Sequence, residues 1–109
     1  MTVQPAPLLT SGLTWQELPA GTRFRTSTRT VTEYDLMLLI GWAGITEPLF
    51  TDVRHGATIG FTGRLVPGVL TYCLAEGLVV QTGAFHGTGM AFLGAHLKQE
   101  APVYVGDTI

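Results

Sequence analysis

An apolar run in the first half of the chain predicts a helix with a clear start. Leu36 to Ile40 leave this segment almost no polar face, so the helix should be covered on most sides. Thr32 is a favourable N-cap, and Asp35 can return the hydrogen bond as the acidic partner of a capping box. We therefore predict a helix over about Glu33 to Ala43.

A second apolar run predicts a buried central helix over about Val69 to Val80. Pro67 and Gly68 precede it, and a proline is well suited to the start of a helix because its missing N–H would have no partner there. The first turn of any helix carries amide N–H groups without intrahelical acceptors, together with the positive end of the helix dipole. The amino end of this helix is thus the backbone feature best suited to bind an electron-rich group.

The remaining segments predict strands, turns and an irregular start. Residues 1–21 are rich in proline and glycine and should form an irregular lead-in with at most one turn. Residues 22–30, "TRFRTSTRT", alternate in character and predict a strand whose solvated face carries Arg23, Arg25 and Arg29. Residues 90–100 predict a further strand, and "APVYVGDTI" predicts a turn, a short strand and a second turn.

Composition favours a single globular domain over residues 1–109. Apolar residues make up 46% of the chain and charged residues 13%, which indicates extensive buried surface. The net charge of -2 is scattered and gives no basic surface for nucleic acid or an anionic membrane. One cysteine, no signal peptide and no apolar run of spanning length lead us to expect a soluble cytoplasmic protein. The three histidines lack metal-ligand spacing, so no metal site is expected.

Three segments, taken in order, resemble the MaoC-like family of (R)-specific enoyl-CoA hydratases and acyl dehydratases. "RTVTEYDLMLLIGWAG" is similar to the family's first helix, and "EPLFTD" is similar to its Asn-Pro-Leu-His-x-Asp loop. "APVYVGDTI" is close to a strand of the family. The spacing from Pro48 through Phe61 to "GRLVPGVLT" also matches the family. The resemblance covers residues 30–109.

The resemblance implies an α+β hot-dog fold, in which an antiparallel sheet wraps around the long central helix. Members add or remove water at the 2,3 position of an acyl thioester carried on coenzyme A or an acyl carrier. No separate cofactor is implied, because coenzyme A arrives as part of the substrate. A backbone amide at the start of the central helix, here that of Gly68, would polarise the thioester carbonyl, and such a donor is worth ~10²–10³ in rate.

The resemblance also places apolar residues where the family has its catalytic pair. Ile45 stands at the position of the family's Asp and Phe50 at that of its His, and neither side chain can move a proton. The carboxylates that remain for acid–base chemistry are Glu47 and Asp52. Glu47 would be poorly solvated beside apolar neighbours, which suits that role; otherwise it is a surface carboxylate near Arg54 or Arg64. We expect the pocket between "EPLFTD" and the central helix, with a substrate-binding wall of Gly68, Ile45, Phe50, Phe61 and Val69.

Three functions are consistent with these residues. The first is a hydro-lyase with a non-standard active site, and the second is a non-catalytic acyl-thioester-binding or heteromeric partner subunit. The third is a hot-dog thioesterase. Family domains continue beyond the point that corresponds to Ile109, so we expect the last strands to be missing or supplied by a partner. A homodimer, or a heterodimer with another hot-dog subunit, would provide them.

Overall fold

The computed structural model describes residues 2–109, and helices dominate its regular structure. The helix predicted over Glu33 to Ala43 is confirmed with those bounds, and the predicted central helix extends one residue further at each end. Within residues 2–21 the chain forms one short 3₁₀ helix and is otherwise irregular. The elements are the 3₁₀ turn Trp15–Glu17, α1 Glu33–Ala43, α2 Pro48–Thr51, α3 Val53–Thr58 and α4 Gly68–Gln81.

Both ends of α1 are closed by the local signals in the sequence. The Thr32 hydroxyl accepts a hydrogen bond from the Asp35 amide, and the Asp35 carboxylate accepts one from the Thr32 amide at 2.9 Å. This capping box satisfies amide groups that a helix start would otherwise leave unpaired. At the other end Gly44 adopts the left-handed conformation with φ 72°, and its amide donates to the Ile40 carbonyl. Glycine enters that region without steric cost, so the helix ends there.

The core joins α1 to the start of α4. A helix face of Leu36 and Ile40 meets Val66 and Leu70, which lie on either side of the first residue of α4. Val31, at the entrance to α1, completes this buried cluster. Half-buried side chains from α1, α2, α4 and the C-terminal segment pack against it: Leu39, Phe50, Leu74, Val103, Val105 and Ile109.

The C-terminal segment, residues 103–109, holds the entrances of the two long helices together. Its backbone pairs with residues 29–31 ahead of α1 and with residues 64–66 ahead of α4, with N···O distances of 2.8–2.9 Å. The turn predicted at Gly106 connects the two pairings. The pairing is limited to two isolated antiparallel bridges, Thr30 with Thr108 and Leu65 with Tyr104.

The strands predicted over residues 22–30 and 90–100 do not form within the described part of the chain. A strand needs a neighbour to satisfy its backbone groups, and in residues 2–109 the pairing of these two segments is confined to Arg29 and Thr30, which meet the C-terminal segment. Arg29 is exposed, as predicted, but it does not lie on a strand, and its guanidinium donates to the Asp35 carboxylate at 2.5 Å.

Residues 84–100 leave the end of α4 and return along its side. Phe85 lines the same cavity as Val80, the ring of Phe92 lies 6.3 Å from that of Tyr72, and Gln99 reaches the first residue of α4. This segment covers only part of the helix, since the buried residues of α4 are Leu70 and Leu78. The prediction that the central helix is enclosed on nearly all sides is therefore wrong for the single chain.

The described chain is elongated and exposes a large apolar surface. Its radius of gyration is 18.4 Å, whereas a compact domain of this length has a radius of about 13 Å. Met90 and Leu93 are 98% and 96% exposed, and Phe92 and Leu97 are also open to solvent. None of the helices in residues 2–109 has the length and apolar character needed to span a bilayer. Contiguous apolar surface on a protein commonly marks an interaction site.

Candidate functional site

The "EPLFTD" segment folds into two short helices joined at Asp52. Pro48 is the first residue of α2, where its fixed φ suits a helix start, and Glu47 precedes it as the N-cap. The Phe50 amide donates to the Glu47 carbonyl at 2.8 Å, and the Asp52 amide donates to the Pro48 carbonyl at 2.9 Å. α2 ends after one turn, and α3 starts directly behind it.

Asp52 serves as the N-cap of α3. Its Oδ1 accepts a hydrogen bond from the Arg54 amide at 2.9 Å and lies 3.4 Å from the Arg54 Nε. These bonds, the backbone one first, hold the pKa of the Asp52 carboxyl below its usual value. Asp52 is thus ionised at neutral pH, and one of its oxygens is already occupied in fixing the backbone.

Glu47 and Ile45 lie in the connection between α1 and α2. Glu47 is exposed, and its side chain forms no capping hydrogen bond with α2. The carboxylate is therefore available to a ligand, although its surroundings are less apolar than the sequence suggested. Ile45 is half-buried. The catalytic role of Glu47 and the wall role of Ile45 stay predictions.

Phe50 is anchored on both sides. Its half-buried side chain packs against the core cluster that contains Val66 and Leu70, the residues flanking Gly68. Its carbonyl accepts a hydrogen bond from Arg64 Nη1 at 2.6 Å. The loop and the amino end of α4 therefore contribute to one core, and the position of the site between them stays a prediction.

Arg64 is the polar hub between the loop and α1. Its Nη2 donates to Glu33 Oε1 at 2.7 Å, and its Nε lies 3.2 Å from each Glu33 carboxylate oxygen. The hydrogen bond from Arg64 lowers the pKa of the Glu33 carboxyl. Sequence reasoning had placed Arg64 only as a neighbour of Glu47. No local pattern pairs it with a residue on a distant helix.

The amino end of α4 is half-buried at Gly68, where the Gln99 side chain packs against it. The amides of Leu70 and Thr71 donate to the Pro67 carbonyl. A methyl group on Gly68 would lie 2.6 Å from Gln99 Cδ and 2.8 Å from its Nε2, so the Gln99 carboxamide sits directly against this turn. Val69 is exposed. Gln99 was not anticipated, because its proximity depends on the return path of residues 84–100.

A cavity of about 440 Å³ lies between α1 and α4, apart from the loop. It opens on the face of α1 that carries Leu38 and Trp42, whereas Arg64 contacts the face that carries Glu33 and Met37. At 100° per residue these two faces point in nearly opposite directions. Its lining consists of Arg29, Asp35, Leu38, Leu39, Trp42, Leu70 and Leu74, so it shares only α4 with the predicted site.

The structure brings together some of the predicted site residues. Phe50 packs against the cluster that contains Val66 and Leu70, which lie two residues to either side of Gly68, and Asp52 follows Phe50 by two positions. Phe61 is half-buried at the end of the loop, where its amide donates to the Gly56 carbonyl at 3.0 Å. Within residues 2–109, His, Cys, Asp and Glu side chains form no group of three that could hold a metal ion.

Comparison with known proteins agrees with this architecture. No family model matches the chain. It is 32% identical over 97 residues to an (R)-specific enoyl-CoA hydratase from Aeromonas caviae, a match that covers 86% of this chain and 68% of the relative. Its structure is similar to that of a monoamine oxidase regulatory protein from Archaeoglobus fulgius, with a TM-score of 0.81 and 25% identity. That likeness covers 94% of this chain and 69% of the other.

These similarities identify the chain as a hot-dog protein of the MaoC-like class. It belongs to the family that includes (R)-specific enoyl-CoA hydratase.

Proposed function

We propose that the chain is a hydro-lyase that hydrates a 2-enoyl thioester or dehydrates a 3-hydroxyacyl thioester. The observation that supports this proposal best is that Phe50, in the "EPLFTD" loop, packs against the core cluster that includes Val66 and Leu70 at the amino end of α4. Such a turn offers an amide N–H with no intrahelical acceptor. Family membership supplies the thioester as the matching ligand class.

In the proposed reaction the chain polarises the substrate and handles one proton. The Gly68 amide donates to the thioester oxygen, which withdraws electrons from C3 and stabilises negative charge as it develops. Glu47 takes a proton from water as the water oxygen bonds to C3, and a proton is returned to C2. Asp52 is the alternative carboxylate for this proton transfer. Ile45, Phe50, Phe61 and Val69 exclude water from the acyl chain. The acyl group is carried on coenzyme A or an acyl carrier, and no other cofactor takes part.

The loss of enoyl-thioester absorbance tests the activity directly. We expect the wild type to hydrate the substrate and Glu47→Gln to be slower by ~10²–10⁴, the usual contribution of a general acid or base. Asp52→Asn should cost less, because asparagine is an equally good N-cap. Glu100→Gln is the control, since it removes an exposed carboxylate that pairs only with Lys98. Hydration that survives Glu47→Gln unchanged would remove the proton-transfer assignment.

A non-catalytic acyl-thioester-binding subunit is the second candidate. Two observations favour it: Asp52 already caps α3, and the positions of Ile45 and Phe50 carry apolar side chains. Glu47 is then the one loop carboxylate left for proton transfer. Binding of an acyl thioester without turnover at any acyl length would select this function. Release of free thiol in the same assay would instead select a hot-dog thioesterase.

We further propose that a second hot-dog subunit, identical or related, covers the exposed apolar side chains of residues 90–97. Met90, Leu93 and Leu97 lie on the segment that was predicted as a strand. Pairing with a neighbouring strand would satisfy its backbone and bury these side chains in one step. Association of two subunits would also enclose more of α4.

A further inference from the structure

Arg64 makes the contacts of a clamp between the candidate loop and α1. It is 24% exposed, so its guanidinium is largely withdrawn from water. A fork of Nε and Nη2 faces Glu33, and Nη2 also lies 3.4 Å from Met37 Sδ. The remaining nitrogen, Nη1, donates to the Phe50 carbonyl. One arginine therefore fixes a backbone oxygen in the loop while a carboxylate fixes the arginine.

The Phe50 carbonyl is a point where the loop needs outside support. α2 has only one turn, and a helix that short is not stable by itself because nucleation costs more than one hydrogen bond returns. Carbonyls near a helix end lack intrahelical donors, and a cation placed there also complements the helix dipole. Arg64 supplies both the donor and the charge.

Arg64 is itself tied to the start of α4. Its carbonyl accepts a hydrogen bond from the Val105 amide at 2.9 Å, and the Val66 amide donates to the Val103 carbonyl at the same distance. The backbone from Arg64 to Gly68 is thus held by the C-terminal segment. Because the Arg64 backbone is fixed next to α4 and its side chain binds the Phe50 carbonyl, Arg64 holds the loop at a defined distance from α4.

We infer that Arg64 is a positioning residue that sets the gap between the loop carboxylate and the Gly68 amide. This inference rests on the proposed hydro-lyase function, in which Glu47 and the Gly68 amide act on opposite ends of the same enoyl group. Arg64 touches neither the substrate nor the reacting atoms. It acts by holding the Phe50 carbonyl, and Glu33 acts by orienting Arg64.

The first arm of the test follows amide hydrogen exchange at Phe50 and Asp52 in Arg64→Met, Arg64→Lys and Glu33→Gln. Arg64→Met keeps an apolar stem but no donor, so exchange at both amides should accelerate at least ~10-fold. Lysine can still donate to the carbonyl and should restore most of the protection. Glu33→Gln keeps the Phe50 bond and should give a smaller change. Arg23→Met, which replaces an exposed arginine, is the matched control.

The second arm measures steady-state hydration. Misplacement of a catalytic group by about 1 Å can cost ~10² in rate, so kcat should fall at least ~10-fold in Arg64→Met. KM should change less than kcat, because the Gly68 amide and the Val69 side chain on α4 stay in place and only the loop part of the apolar wall is released. Arg64→Lys should recover kcat. A general loss of folding would lower the active fraction in both variants alike and would not be rescued by lysine.

The two arms separate the positioning role from the function on which it rests. If the wild type hydrates no enoyl thioester but amide exchange at Phe50 and Asp52 still depends on Arg64, the proposed function is wrong and the positioning role of Arg64 is supported. If Arg64→Met leaves both amides as protected as in the control, the positioning role is overturned, whatever the activity. If Arg64→Met does not fold, Glu33→Gln decides, and exchange at both amides equal to that of the Arg23→Met control overturns the role.

Discussion

The Asp35 carboxylate should contribute stability that depends on pH, and Asp35→Asn isolates it. The side chain is 7% exposed and accepts hydrogen bonds from Arg29 Nη2, the Thr32 amide and the Thr32 hydroxyl. Asparagine keeps one acceptor oxygen, but its NH₂ group faces a donor of Arg29 or Thr32, so the hydrogen bond to that donor is lost. A hydrogen bond to a charged group is worth about 1.5–3 kcal/mol, and Arg29 is 41% exposed, so the lower part of that range applies. The lost charge near the helix start adds about 0.3–1 kcal/mol. We expect a destabilisation of about 2–3 kcal/mol at neutral pH.

The pH dependence has a definite sign. Burial raises the pKa of the Asp35 carboxyl, but the Thr32 hydrogen bonds and the Arg29 charge outweigh burial and leave the pKa lowered. A carboxyl with a lowered pKa in the folded state stabilises the fold above its unfolded pKa, about 3.9, and loses that stabilisation as the pH falls through the folded value.

Urea unfolding followed by tryptophan fluorescence at about pH 7 and about pH 2.5 measures the difference between wild type and Asp35→Asn. That difference should shrink toward zero in acid. Asp52→Asn is the control, because its carboxylate caps a helix at the surface and asparagine can replace it. A wild-type advantage of equal size at both pH values would refute the assignment to the Asp35 charge.

Two further predictions concern the amino end of α4 and the exposed segment. Gly68→Ala should change the free energy of unfolding by less than about 0.5 kcal/mol, because displacement of Gln99 offsets a gain of roughly 0.4–1 kcal/mol from reduced entropy of the unfolded chain. In a Gln99→Ala background, urea unfolding should show that gain. Equal effects of Gly68→Ala in both backgrounds would contradict the contact between Gly68 and Gln99. Leu93→Arg should shift the mass measured by light scattering from two subunits to one at unchanged circular dichroism, and an unaltered mass would exclude residues 90–97 from the subunit contact.

The elements that sequence reasoning placed correctly are those governed by neighbours in the chain. Thr32 and Asp35 make a capping box among themselves, and Gly44 ends α1 through its own backbone freedom. α4 was predicted because an apolar run behind Pro67 carries its signal locally. Such signals act within one or two turns, so no knowledge of the fold was needed.

The parts that failed depend on what lies across the molecule. Residues 90–100 alternate as a strand should, yet strand formation requires a partner, and the described chain places none beside them. Arg29 has the pattern of a solvated residue, and its pairing with Asp35 depends on how the chain turns into α1. Arg64 and Gln99 meet the candidate site through contacts far along the sequence, which periodicity does not encode.

The first turn of α1 does more than begin a helix. Glu33 and Asp35 both suit that turn, because acidic side chains there complement the positive end of the helix dipole. Each also faces an arginine outside the helix: Glu33 holds Arg64, and through it the loop, whereas Asp35 holds Arg29 and the segment paired with the C-terminus. The two acids lie on different faces, so the turn is fixed from two directions. Because Glu33 and Asp35 hold the segments next to the loop and to the start of α4, the first turn of α1 helps set the geometry of the candidate site, although none of its residues lies in that site.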